Sequence, residues 1–329
     1  LRNVDKDGNE TAHRVQLISM AVAKGSMKTL FDHHSDDQEF SYLPGDAARH
    51  LLAAQNFGLA GLNKKSAKPF GYQQSYNQAN LIGGVFCTLH GRNLFETLAL
   101  NALIYSGDAP IPRIEQQGED APCWEWGANT PVAGPVTPRG YLHYLTARCR
   151  HVLLLPEEND QGTVVRRMHF AQGEYFPGTA EPFFPRRKNK DGQPVPVRPQ
   201  PERMLWRDSL ALFGFSDKED IRPAPIRQVG RLGKRAQVPL ASRYRCSAFA
   251  LAYDQANPLA WRKETLSVPL ELLENQEAVA FLQQAIKRAE EAEGLLYKAV
   301  AQYLYKCLPQ NAKCGKDEVY QTKALDQFW

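Results

Sequence analysis

The segment LFDHHSDDQEF, residues 30–40, sets two adjacent histidines among four carboxylates. Imidazole and carboxylate are donors that hold zinc and other catalytic metals. This is therefore where a metal-dependent nuclease or phosphohydrolase would be sought, with His33, His34, Asp36 and Asp37 as its centre. Geometry argues against it. Neighbouring side chains on a helix or strand diverge, so a loop would have to turn only one histidine inward and take further ligands from elsewhere. The other histidines, His13, His50, His90, His143, His151 and His169, fall in no HxxxH or HxH pattern. Without a metal, the segment is a polar loop in which Asp32 or Ser35 bonds its own backbone. It is alternatively a contact loop, with His33 and His34 meeting phosphate or a base and Phe31 as anchor.

Three other stretches carry usable chemistry. GLAGLNKK, from Gly58 to Lys65, combines two glycines, which let backbone approach a partner closely, with the donors Asn63, Lys64 and Lys65. Such donors suit minor-groove acceptors, and a helix C-cap followed by a surface loop accounts for the same residues. From Arg222 to Arg245 the chain carries Arg227, Arg231, Lys234 and Arg235 among other basic residues and no acidic one. A one-sign run suits a polyanion, since neutralised phosphates release counterions. AYDQANPLAWRKE places Asp254 and Gln255 in a turn after an apolar run. No GxSxG, Walker A or strand-following GxGxxG is present, so neither nucleophilic catalysis nor a nucleotide cofactor is indicated.

The elements that must position these residues follow from periodicity. PGDAARHLLAAQNFGLAG reads as a helix capped by Asp46, with Ala48, Leu51, Leu52 and Gln55 on one stripe and Gly58 or Gly61 at its end. The following 23 residues read as a long loop. GVFCTLHG reads as a strand and NLFETLALNALIY as a helix with a stripe through Leu94, Leu98 and Asn101. HVLLLPEE and GTVVRRMHFAQGEYF are strand-like, and FFPRRKNKDGQPVPVRPQPERM is a connector or a hairpin turning at Asp191-Gly192. From Asn275 to Leu308, Val279, Leu282, Ile286, Ala289, Leu296, Val300, Tyr303 and Cys307 recur at steps of three and four, broken once at Glu293. That is one long amphipathic helix of a bundle, with EVYQTKALDQFW as the start of a partner.

With 329 residues, 43% hydrophobic and 23% charged, the chain is long enough for two domains and falls among ordinary globular proteins. No apolar run is long enough to span a bilayer, so no membrane role is expected. The six cysteines form no CxxC pair, and a chain of this size needs no disulfides, so a reducing cytoplasm is the expected compartment. Leu1 at the start and Phe328-Trp329 at the end lead us to expect a fragment.

In order, LFDHHSD, GDAARHLLAAQNFGLAG, LIGGVFCTLHGRNLFETLALNAL, PRGYLHYLTARCRHVLLLP, EPFFPRRKNKDGQPVPVRPQPERMLWRD and YDQANPLAWRKETLSVPLELL resemble the large subunit of type I-E CRISPR surveillance (Cascade) complexes, the CasA family. The resemblance runs along nearly the whole chain. It implies an α+β protein: a large mixed α/β DNA-reading domain over residues 1–265, its N-terminal part missing, then an incomplete C-terminal helical bundle from 266 to 329. It implies a subunit without its own catalysis or cofactor. The expected partners are guide RNA, other Cascade subunits, target duplex DNA and a separate helicase-nuclease. Such a subunit reads only the protospacer-adjacent motif, while guide pairing reads sequence. By the same resemblance Phe31, Asp32, His33 and His34 form the loop that docks near the 5′ end of the RNA. Gly58, Gly61, Asn63 and Lys64 belong to the glycine loop at the motif, Gln255 is the wedge beside it, and Asp254 is its neighbour. Arg227, Arg231, Lys234 and Arg235 are expected phosphate contacts. The sequence departs from the family member compared in having Asp254 where that protein has Asn, an acidic group that phosphate would repel. Its glycine loop is also poorer in glycine.

Overall fold

The computed structural model describes the chain apart from residues 6, 21, 23–38, 63–65, 69–74, 105–119, 127–132, 161, 202, 215–219, 235–242, 308–315 and 329. Two antiparallel hairpins dominate it. One joins Arg243–Asp254 to Asn257–Pro269 and is extended by Phe86–His90, whose partners run from Arg245 opposite His90 to Phe249 opposite Phe86. The other joins Arg150–Asn159 to Gly162–Gln172, with His13–Arg14 on its outer edge. Small two-stranded pairs complete the strand content: Arg2–Val4 with Ser66–Lys68, Gly61–Leu62 with Ser75–Tyr76, Gly134–Pro135 with Glu174–Tyr175, and Arg186–Lys188 with Pro194–Pro196. Helices segregated beside sheets that are antiparallel except for the short pair Gly134–Pro135 with Glu174–Tyr175 make this an α+β fold. Of the two readings of the segment around Asp191-Gly192, connector or hairpin, the hairpin is present. The long loop expected after Leu62 contains strands instead, because its residues pair with segments elsewhere in the chain.

The first hairpin is unusually long. Its strands have 12 and 13 residues, against a typical five or six. Phe86–His90 covers it only as far as Phe249, so the remainder projects as a two-stranded arm. Pro258 is tolerated because Asn257–Pro269 is an edge strand, needing no N–H on its outer side. The register shifts beside Tyr253, leaving Leu259 as the extra residue of a bulge, a device that re-aims the end of a strand.

The main core gathers Cys87, Leu89, Cys246, Ala248 and Val268 from this sheet with Leu212, Ile226, Val229 and Leu273 from short helices. A second core packs Val15, Ile18, Ala47, Ala54, Val165, Met168 and Phe170 between the other hairpin and the helix Pro44–Phe57. The long helix spans Gln276–Cys307 and packs against Leu270–Glu274, Ser209–Phe213 and the short helices Lys316–Gln321 and Ala324–Phe328. Its stripe is buried early, at Val279 and Ile286, and open late, where Tyr303 and Cys307 are exposed. Arg203 and Arg207 reach across to Glu290 (3.2 Å) and Glu293 (2.5 Å) on the same helix. Among the described residues no helix is long and apolar enough to cross a membrane.

Two helices differ in detail from their expected patterns. In Pro44–Phe57, Asp46 is not the cap. Leu43 holds that position and Pro44 the first turn, where its missing N–H costs nothing, while Asp46 sits in the favourable first turn and pairs with Arg49. The buried residues are Ala47 and Ala54, with Ala48 exposed, so the stripe is one residue out of phase with expectation. In Leu94–Asn101 the expected stripe holds only at Asn101: Leu94 and Leu98 face outward and Leu100 is buried. The capping of that helix explains its orientation. Asn93 accepts from the Glu96 N–H, and the Asn101 side chain bonds both the N–H and the carbonyl of Leu89 in the adjacent strand.

Candidate nucleic-acid interface

The tip of the long hairpin is the two-residue turn Gln255-Ala256, closed by the pair Asp254 and Asn257. Gln255 has φ of 52°, and Ala256 is not in the positive region. Positive φ at the first central residue alone is the pattern of a type II′ turn, where glycine is the usual occupant. A glutamine held there keeps its side chain outside the sheet, and Asp254, Gln255 and Ala256 are all exposed. The arm behind the tip is anchored to the end of the helix Pro44–Phe57 and to Gln78. Trp261 packs edge-on against Phe57, the last residue of Pro44–Phe57, with ring centroids 5.4 Å apart, and the Tyr253 hydroxyl lies 3.2 Å from Oε1 of Gln78. Trp261 is itself half exposed, so its role is this anchor rather than a place in the core.

The anchored tip meets the segment that follows the helix. Ala256 and residues Gly58–Leu62 line one cleft of about 210 Å³, whose other walls include Ile18, Tyr76, Arg150 and Phe170. Gly58 and Gly61 are fixed from inside the protein. A Cβ on Gly58 would lie 2.5 Å from the Arg150 guanidinium carbon and from the Ala54 carbonyl, and one on Gly61 would collide with the Tyr76 hydroxyl. Close approach of side chains to backbone is therefore what these two glycines permit locally.

Arg150 organises this corner. At the first residue of its strand, its backbone is clamped by the Gln55 side chain, which donates to the Arg150 carbonyl (2.7 Å) and accepts from its N–H (3.0 Å). Its Nη2 donates to the carbonyls of Leu59 (2.8 Å) and Asn77 (3.1 Å), and the guanidinium lies over the Tyr76 ring. The residue is 4% exposed, and burial lowers its pKa. Among the described residues no carboxylate pairs with it, and Nη1 has no hydrogen-bond partner. The Tyr76 hydroxyl is pushed up by burial, opposed by the neighbouring Arg150 charge, so it stays a neutral donor. The sequence reading missed Arg150. Its one legible signal is an arginine opening an apolar strand run, RHVLLLP.

Of the remaining expected residues, Phe31, Asp32, His33, His34, Asp36, Asp37, Asn63, Lys64 and Arg235 lie outside the described residues, as does the side chain of Lys234. Arg227 and Arg231 sit on the helix Ala224–Lys234, which packs against Leu270–Glu274 at the base of the long hairpin. Strands of about 12 residues at ~3.3 Å each separate that base from Gln255 by roughly 40 Å. Proximity in sequence does not bring the basic run to the tip. Part of its charge is also engaged internally: Asp220, just outside the run, pairs with buried Arg222 (2.6 Å), and Arg227 donates to the Asp220 carbonyl. Arg231 is exposed. Among the described residues no group of three or more His, Cys, Asp or Glu side chains could hold a metal. His90, His143 and His169 are instead bonded to Ser247, Glu174 and Glu10 at separate places.

Comparison with known proteins agrees with the sequence resemblance. The model of the CRISPR-associated protein Cse1 family matches residues 5–329. CasA/Cse1 of Thermus thermophilus is 29% identical over 293 residues, covering 84% of this chain and 53% of the relative. The chain thus spans about half the length of that protein. Among solved structures, Thermobifida fusca Cse1 superposes with a TM-score of 0.76 at 20% identity, covering 99% of this chain and 63% of the other. A chain of a CRISPR RNA-guided surveillance complex gives 0.70 at 23%, covering 97% and 64%. With a family model matched along almost its entire length and the same fold in the solved relatives, the chain belongs to the CRISPR-associated Cse1 (CasA) family.

Proposed function

We propose that this chain is the motif-reading part of the large subunit of an RNA-guided antiviral surveillance complex in the cytoplasm. It recognises a protospacer-adjacent motif in duplex DNA through Gly58, Gly61, Asn63 and Lys64, with Asp254 beside them. It starts strand separation with Gln255 and performs no chemistry of its own. Cleavage falls to a recruited helicase-nuclease. Phe31, Asp32, His33 and His34 dock the subunit near the guide RNA and the other Cascade subunits. The exposed Arg231 and its neighbours Arg227, Lys234 and Arg235 serve phosphates at a second, distant contact.

The observation that carries this reading is the convergence of Ala256, next to Gln255, with Gly58–Leu62 on one cleft, although some 200 residues separate them in the chain. A side chain can wedge a base step only where neighbouring contacts hold the duplex, since unstacking costs a few kcal/mol. Exchanging DNA duplex for guide heteroduplex is nearly balanced, so a modest local contribution decides whether opening starts.

The deciding experiment compares target duplex binding by the guide-RNA complex with and without this subunit, at one salt concentration, using intact and scrambled motif. Tight binding is expected only with both subunit and intact motif. Equal binding without the subunit would overturn the reading. Gln255→Ala should slow duplex opening while leaving assembly intact, and Phe31→Ala should loosen assembly instead.

A further inference from the structure

The cleft under the hairpin tip has a chemistry that motif reading does not use. Its walls are largely apolar, from Leu17, Ile18, Ala54, Leu62 and Phe170, with Tyr76 and Arg150 the side chains bearing polar groups. At about 210 Å³ it is smaller than the roughly 300–1,000 Å³ of sites for whole drug-sized ligands, so it suits a single ring system. Arg150 brings to it a buried positive charge with no carboxylate and an Nη1 with no acceptor among the described residues. Buried donors are almost always satisfied, and a buried charge is costly unless something answers it. A group completing this site must therefore bring an acceptor atom on a flat, largely apolar body. A bare phosphate meets only the first requirement.

Position supplies the source of such a group. Ala256 lines the cleft, and its neighbour Gln255 is the residue read above as the wedge. We infer that the cleft receives one unpaired nucleotide of the opened target DNA, its base against Tyr76 and Phe170 and an acceptor atom on Nη1 of Arg150. This rests on the proposed wedge role of Gln255. Base–aromatic stacking and a charge-assisted hydrogen bond then hold the displaced nucleotide, which biases the nearly balanced strand exchange towards the open state.

The test places a single abasic nucleotide at successive positions beside the motif, on each strand in turn, and measures duplex binding by guide-RNA complexes carrying wild-type, Arg150→Met or Leu62→Trp subunit. Leu62 is 76% exposed on the cleft rim, so its substitution closes the mouth without entering the core and serves if Arg150→Met fails to fold. At one position, base removal should weaken wild-type binding about tenfold or more and leave both variants unaffected. If no position shows a wild-type penalty, or the full penalty persists in Leu62→Trp, the cleft holds no base. In those cases motif-dependent binding persists and the parent reading stands, whereas its absence in the wild type overturns both.

Discussion

The backbone of Gln255 gives the sharpest prediction. A non-glycine residue in the left-handed region costs about 1–2 kcal/mol, and Gln255, with φ of 52°, occupies it at an exposed turn. Gln255→Gly removes that cost. It also adds freedom to the unfolded chain, worth about 0.5–1 kcal/mol in the opposite direction. The net change is between about zero and 1.5 kcal/mol of stabilisation. Ala256→Gly, one residue on and outside the positive region, should instead destabilise by about 0.5–1 kcal/mol. The sign of the difference is diagnostic and independent of the absolute stability. Urea midpoints combined with hydrogen exchange of the Asp254 and Asn257 amides would read it globally and at the turn. If Gln255→Gly destabilises as much as Ala256→Gly does, the strained turn is wrong. The same variant links strain to function. Gln255→Gly should be at least as stable as wild type yet open duplex no better than Gln255→Ala, as expected where strain is retained for a task. Wild-type opening by Gln255→Gly would remove the side chain from the mechanism.

Three further outcomes follow from the packing. Burial raises the Glu181 carboxyl to about 7, against which its bonds from Phe183 N–H and Tyr144 act only partly. Because the unfolded carboxyl has its ordinary lower pKa, the folded state holds the extra proton between about 4.5 and 7. This group should therefore make stability fall as pH rises through that window, by on the order of 3 kcal/mol at most, and its contribution to the slope should be lost in Glu181→Gln when denaturant midpoints are compared with wild type. Gly58→Ala forces a Cβ against the Ala54 carbonyl and Arg150, so it should cost about 1–3 kcal/mol in thermal unfolding. An unchanged melting temperature would show that Arg150 can withdraw. Glu293→Gln weakens the bond from Arg207, whose side chain is only 10% exposed, and should cost about 1–3 kcal/mol. Arg207→Met with Glu293→Gln should lose less than the sum of the two single changes, and a purely additive pair would deny their coupling.

Periodicity located the long C-terminal helix and the strands Arg150–Asn159 and Gly162–Gln172, and turn chemistry offered the Asp191-Gly192 hairpin as one of two readings, because each is set by local pattern. It placed the helices Pro44–Phe57 and Leu94–Asn101 but misjudged which face each buries. Local sequence makes either face amphipathic enough, and long-range partners choose between them: the bonds of Asn101 to Leu89, and the packing of Ala47 and Ala54 on the Val15–Phe170 core. The order of family-like segments carried the identity of the chain, since residue types in sequence survive where individual motifs are weak.

Three-dimensional pairing decided which residues meet at the candidate interface. Nothing in the sequence separates a basic run near Gln255 in the chain from a tip roughly 40 Å away in space, because a 12-residue strand converts a short sequence gap into a long distance. Nothing marks Arg150 as a neighbour of Gly58, because their contact bridges 92 residues and exists only once a strand and a helix end are clamped through Gln55. Residue types along one chain record which chemistry is available. Only the packing of that chain determines which groups share a cleft, which charges are already answered, and which remain open to a partner.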